Sequence, residues 1–130
     1  NMTQENKELL LKDLCARLPY RLKVKCEKYP FPVTVLYADG INEVKFKETG
    51  GIEHICMIKP YLFPLSSMTK EQKYEYDELI HSNNIKAIEG VITSTDCSTA
   101  EIDWLIKNHF DYRGLIPMGL ANDATGLNIY

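Results

Sequence analysis

Leu10-Leu11-Lys12-Asp13-Leu14-Cys15-Ala16-Arg17-Leu18-Pro19-Tyr20-Arg21-Leu22-Lys23-Val24-Lys25-Cys26-Glu27 carries the change of period on which the fold turns. In its first half, Leu10, Leu11, Leu14, Cys15 and Leu18 fall at i, i+1, i+4, i+5 and i+8, one face of a helix. Lys7, Glu8, Lys12, Asp13 and Arg17 are read as the opposite, solvated face. Thr3 can cap the start, since its hydroxyl can accept from an otherwise unpaired amide. Pro19 stops the helix by forcing the residue before it towards extended backbone. In the second half, from Arg21 to Glu27, charged and apolar residues alternate without exception. A period of two marks a half-buried strand with Leu22, Val24 and Cys26 inward.

Downstream of this switch the pattern stays strand-like. Tyr29-Pro30-Phe31-Pro32 is a stiff connection that cannot donate twice to a ladder. Positions 33–38 are rich in β-branched and aromatic residues and predict a second strand. Asp39-Gly40 between that run and 41–47 is a hairpin signal, because both turn positions need positive φ. Thr49-Gly50-Gly51 predicts a further turn, and 52–59 a fourth strand, with Pro60 and Pro64 ending the sheet.

The second half of the chain reads as mainly helical. Thr69-Lys70-Glu71-Gln72 is a capping box, in which cap and third residue satisfy each other's amides. It predicts a helix to about His81, broken at Ser82-Asn83-Asn84. Residues 85–92 fit either a fifth strand or an irregular core segment. Ser98-Thr99-Ala100-Glu101 reads as a second capping box, opening a helix that ends near His109. The tail from Asp111 wraps the surface, anchored by Leu115, Ile116 and Leu120. Together these signals predict a single α+β domain over 2–130. Its core is a four-stranded antiparallel meander, with 85–92 open as a fifth strand, or a small SH3-like half-barrel. An N-terminal helix and two C-terminal helices pack against it.

Composition narrows the classes of function. The chain has 130 residues and a formal charge of −3, from 15 basic and 18 acidic side chains. That balance does not favour nucleic acid through the whole-protein field. No apolar run approaches the roughly 18–20 residues needed to cross a bilayer. The N-terminus lacks the basic-then-apolar pattern of a signal peptide, and the four cysteines, Cys15, Cys26, Cys56 and Cys97, form no CxxC or Cys–His pair at metal spacing. A cytoplasmic protein with reduced, core-packed thiols is the reading these features share.

Three stretches carry a resemblance: Leu9-Leu10-Leu11-Lys12-Asp13-Leu14-Cys15-Ala16-Arg17-Leu18-Pro19-Tyr20, Lys59-Pro60-Tyr61-Leu62-Phe63-Pro64-Leu65-Ser66-Ser67-Met68-Thr69, and Asp103-Trp104-Leu105 with His109-Phe110-Asp111-Tyr112-Arg113-Gly114-Leu115-Ile116. As a set they resemble small proteins, without assigned activity, encoded by gut bacteria and by their phages and mobile elements. The resemblance implies cytoplasmic expression and an accessory role, and brings no catalytic residues with it.

The candidate sites are few. Cys97 lies just before Ser98, where a helix N-terminus would favour a thiolate. His109 or His81 could act as its base and Asp111 as the group orienting that base, which would make a cysteine-dependent hydrolase or transferase. His54, His81 and His109 lack ligand spacing, so no metal and no cofactor is expected. Arg21, Lys23 and Lys25, with Lys45 and Lys47, could form a basic strand face for nucleic acid. The same lysines also serve as a solvated face that discourages edge pairing. Tyr29, Phe31, Tyr61 and Phe63 sit on proline-stiffened backbone, which suits docking of a protein partner or capping of the core. Asp111-Tyr112-Arg113-Gly114 reads as a salt bridge or hydrogen bond closing the C-terminal wrap. A non-enzymatic interaction protein with a protein partner is the leading expectation. A nucleic-acid-binding domain is the first rival.

Overall fold

Thr3 opens α1 (Gln4–Arg17), its hydroxyl accepting from the Asn6 amide at 3.1 Å. The computed structural model describes residues 2–38, 42–88 and 94–130, with side chains for all of these but 82–88 and 94–99. A single 3-10 turn, Leu18–Tyr20, follows α1, and Arg21 at φ 57 then swings the chain into the sheet. Helix therefore gives way to strand where the period changes.

The buried stripe of α1 differs from the expectation. Leu10, Asp13, Leu14 and Arg17 are buried, whereas Cys15 is exposed. These four positions stand at i, i+3, i+4 and i+7, the true spacing of one helical face. Asp13 and Arg17 belong to the core stripe by angle, and reading them by polarity alone put them on the wrong side. They tolerate burial because they pair with each other, as described below.

Among the described residues the sheet has six strands rather than four or five. They are β1 (Lys23–Cys26), β2 (Val33–Ala38), β3 (Glu43–Phe46), β4 (Ile52–His54), β5 (Ile58–Leu62) and β6 (Asn122–Asp123), in the order β4-β3-β2-β1-β5-β6. All pairings are antiparallel except β5 with β6, which is parallel. The sheet is therefore mixed and not a simple meander. The expected fourth strand over 52–59 splits in two. A 3-10 turn, Ile55–Met57, interrupts it, and the continuation pairs with β1 instead of β3. Four strand spacings separate β4 from β5 in the sheet, about 19 Å if it were flat. The four residues from His54 to Ile58 reach at most about 14 Å. The sheet therefore curls, and Ile55, fully buried, sits inside the curl.

Pro60 lies within β5 and does not end the sheet. At that point β5 has pairing partners on the β1 side, while β6 pairs only Tyr61 and Leu62. Proline is tolerated in such near-edge positions, where no ladder bond calls for its missing donor. Residues 39–41, with the Asp39-Gly40 turn, fall outside the described residues. The antiparallel register of β2 and β3 still shows the chain reversing between them.

Two helices complete the fold. α2 (Lys70–Ile88) begins at the expected capping box: the Gln72 amide donates to the Thr69 hydroxyl, and the Thr69 amide to the Gln72 side chain. It continues through Ser82-Asn83-Asn84, so 85–88 is helix and not strand; 89–93 lies outside the described residues. Ser and Asn cost a helix interior only a few tenths of a kcal/mol each, too little to end it. α3 (Ser94–Lys107) already includes 94–97, so the Ser98–Glu101 signature lies inside the helix. The two helices pack through Tyr76 and Trp104, ring centroids 5.3 Å apart, and Trp104 stacks on Phe110. One cluster of buried apolar side chains joins Leu10 and Leu14 of α1 to the inner sheet face and to Leu115, Leu120 and Ala121 of the tail.

Candidate functional site

Ionisable groups gather in two places: a buried network behind the sheet and the sheet's outer face. Arg17 centres the first. Its Nε donates to Asp13 at 2.9 Å and its Nη2 to the other carboxylate oxygen at 3.3 Å. The same guanidinium donates to the carbonyls of Ile106 and Phe110, at 3.4 and 2.6 Å. The Ile106 carbonyl belongs to the last turn of α3, where unpaired acceptors and the helix dipole favour a cation, and Phe110 lies just beyond it. Arg113 donates to Asp13 at 3.3 Å from the outer side. Asp13 and Arg17 are both wholly buried. Every ionic group here has a partner, and the pairs tie α1, α3 and the tail together.

His109 closes α3 in the left-handed conformation, φ 60. Its amide donates to Ile106 and that of Phe110 to Leu105, the paired bonds of a Schellman motif. The ring lies flat against Tyr130, centroids 4.0 Å apart. Nε2 sits 2.9 Å from the Tyr20 carbonyl, which can only accept, so Nε2 carries the proton. Nδ1 is buried without a partner. Burial, reinforced by the Arg17 charge and opposed by the Tyr20 hydrogen bond, lowers the His109 pKa to about 4. The ring is thus a neutral donor at pH 7. Tyr130 in turn bridges two strands. Its hydroxyl accepts from the Lys23 amide at 2.9 Å and donates to the Tyr61 carbonyl at 2.8 Å. Burial of that hydroxyl raises its pKa.

Asp111 does not touch His109. Its two carboxylate oxygens accept from the amides of Leu115 and Ile116, at 2.8 and 2.9 Å. The expected closure of the wrap is therefore present, made by Asp111 locally and by Arg113 on Asp13. Cys97 falls in the first turn of α3, not before a cap, and its side chain lies outside the described residues. At 1.5 Å per residue, the helix end that carries His109 is about 15 Å further along the axis. His81 is exposed on α2. The structure does not bring Cys97, His109 and Asp111 together as a catalytic group. Among the described residues no cluster of three or more His, Cys, Asp or Glu could hold a metal ion.

Of the aromatic residues on proline-stiffened backbone, Phe31 is exposed, while Tyr29, Tyr61 and Phe63 are half-buried. Tyr29 packs edge-on against Phe46, and Phe63 against Phe110 and Tyr130. Tyr29 and Phe63 therefore pack on core rings, while Phe31 remains exposed.

The second gathering is on the outer face of β2, β3 and β4. A bulge between Val35 and Tyr37 puts two residues of β2 opposite one of β3. Val35 stays inside, and both Leu36 and Tyr37 turn out, 53% and 44% exposed. Tyr37 pairs with Lys45, and Lys45 with Ile52, itself 50% exposed, so the three form a row across the sheet. Lys45 Nζ stands 5.9 Å from the centre of the Tyr37 ring. Beside Leu36, a shallow groove is lined by Arg21, Lys23, Thr34, Lys47 and Glu48. Glu48 accepts from both the amide and the hydroxyl of Thr34, each at 2.7 Å. Burial acts to raise its carboxyl pKa, but the Thr34 hydrogen bonds and the Lys23 charge prevail and hold it below the ordinary value. Of the five basic residues predicted to share a face, Arg21, Lys23, Lys45 and Lys47 do so here. Lys25 points the same way two residues along β1, beyond the groove, and is paired in register with Lys59 of β5.

Leu36 and Ile52 escaped the sequence reading because a bulge leaves no mark in a short β-branched run. Cys56 was read as a core thiol and is exposed, with its Sγ 3.0 Å from His54 Nδ1. In comparisons with known proteins, no family model, curated protein or solved structure matches the chain. No helix among the described residues is long and apolar enough to cross a membrane.

Proposed function

We propose that this chain is a non-enzymatic interaction protein that docks an acidic protein segment, studded with apolar side chains, on the outer face of β2–β4. The observation that carries the reading is the β2 bulge, which turns Leu36 and Tyr37 outward together beside Ile52. Exposed aromatic and aliphatic side chains on a rigid sheet lose little entropy on docking and make good anchors. Arg21, Lys23, Lys45 and Lys47 surround them on a chain whose formal charge is −3. Local charge opposite in sign to the whole selects an acidic partner and speeds its approach. The buried network supports the same reading from the other side, since its ionic groups are spent on holding α1, α3 and the tail. Free thiols at Cys15, Cys26 and Cys56 suit a reducing cytoplasm. An accessory role, as the sequence resemblance implies, accords with a binding surface of this kind.

Nucleic acid is the rival occupant. Glu48, ionised in the groove, and the aliphatic Leu36 and Ile52 weigh against it. Affinity capture from nuclease-treated lysate, comparing wild type with Lys45→Glu/Lys47→Glu, separates the two. A protein retained by wild type and released by the charge reversal is the expected result. Capture that vanishes with nuclease, or that survives the reversal, would overturn the proposal.

A further inference from the structure

His54 ends β4 and caps the 3-10 turn Ile55–Met57, and this places its ring against Cys56 two residues on. Nδ1 accepts from the Cys56 amide at 3.2 Å, which puts the imidazole proton on Nε2 and the ring's single in-plane lone pair at Nδ1. Cys56 Sγ lies 3.0 Å from the same nitrogen and shares that acceptor. A nucleophile and a base are therefore in hydrogen-bond contact on the surface. Glu43 stands directly across from His54 in the β3–β4 register, on the same outer face. Cys56 also borders two depressions. The larger, about 700 Å³, is lined by Lys7 of α1 together with Met2, Met57, Met118 and Leu120. The smaller is lined by Lys25, Glu27 and Lys59. Three lysines against Glu27 and Glu43 leave the approach to the sulfur net positive.

We infer that Cys56 is a reactive thiol, with His54 as its proton acceptor, that exchanges with small carboxylate-bearing disulfides. In the exchange the Sγ proton passes to Nδ1, which releases the Cys56 amide as its lone pair takes the proton. The thiolate attacks one sulfur of the disulfide, forming a mixed disulfide at Cys56 and breaking the incoming S–S bond. The departing thiolate takes the proton back from His54. Cys56 is oxidised, one half of the small disulfide is reduced to a thiol, and no other oxidant is needed. The lysines around the site draw the anionic disulfide in. Cys15, also exposed, is the internal control, while buried Cys26 reports on whether the fold is intact.

The test uses the full chain, reduced and then exposed to oxidised glutathione at pH 7, with each cysteine followed by peptide mass spectrometry. Cys56 is expected to form the mixed disulfide at least ~10-fold faster than Cys15. Replacing oxidised glutathione by the cationic disulfide cystamine should shrink that ratio. His54→Gln should bring Cys56 down to the Cys15 rate and change its pH–rate profile, with Cys26 still protected. Equal rates at Cys56 and Cys15 in the wild-type chain would overturn the inference. So would an unchanged Cys56 pH profile in His54→Gln. If that variant exposes Cys26, His54→Asn takes its place under the same criteria, and the wild-type ratio decides the matter alone if both unfold.

Discussion

Acidification to pH 4.5 should weaken the fold chiefly through His109. In the folded chain its pKa is about 4, and in the unfolded chain it returns to 6.5. Between those values the unfolded state binds the extra proton, so stability is fully present above pH 6.5 and falls as the pH drops towards 4. The full difference of 2.5 units corresponds to about 3 kcal/mol, of which about 2.5 kcal/mol is lost by pH 4.5. Glu48 does not mimic the effect in this window. Its lowered carboxyl contributes stability that is lost only as the pH falls below the ordinary value of 4.5. Urea unfolding at constant ionic strength, every half unit from pH 7.5 to 4.5, gives the free energies. His109→Asn is the matched variant, because asparagine accepts the left-handed backbone at φ 60 and does not titrate here. It should be less stable than wild type at pH 7.5, having lost the stack on Tyr130, and should show a pH dependence about 2.5 kcal/mol smaller over the window. Parallel curves for the two proteins would refute the placement of a neutral, buried imidazole at this position.

The ionic network carries its own predictions. Arg17→Met leaves Asp13 buried with one fewer partner and should cost about 3–5 kcal/mol in urea unfolding. Adding Asp13→Leu should recover part of that loss, since an apolar pair replaces an uncompensated charge. Asp111→Ala removes the acceptors of the Leu115 and Ile116 amides and should cost about 2–3 kcal/mol, with limited proteolysis cutting the tail sooner than in wild type.

Much of the fold was legible in the chain. The helix-to-strand switch at Tyr20–Leu22, the Thr3 and Thr69 caps and the inward set Leu22, Val24 and Cys26 follow from local chemistry and period, which sequence carries directly. The split of 52–59 was not legible, because partner choice depends on distant strands: Ile58–Leu62 reads as strand whether it pairs with β3 or with β1. β6 is two residues long and owes its pairing to where the tail wraps. Burial of Asp13 and Arg17 was legible in angle, at i+3 and i+7 from Leu10, and was obscured by their charge. The site divides in the same way. The basic residues were visible as an alternating set, and Arg21, Lys23, Lys45 and Lys47 gather around Leu36 and Tyr37, with Lys25 further along the same face of β1. The apolar anchors among them depend on a bulge, and the His54–Cys56 contact on a 3-10 turn, and neither feature has a reliable local signature.

The proposed division of labour, with scaffold in the buried network and recognition on the outer sheet face, meets its most direct test in Leu36→Ser/Tyr37→Ser. Both side chains are about half exposed, so their replacement should shift stability by no more than about 0.5 kcal/mol. Retention of the captured partner and the urea midpoint are measured on the same preparation. The account predicts retention lost and the midpoint held. Undiminished retention, at an unchanged midpoint, would contradict it.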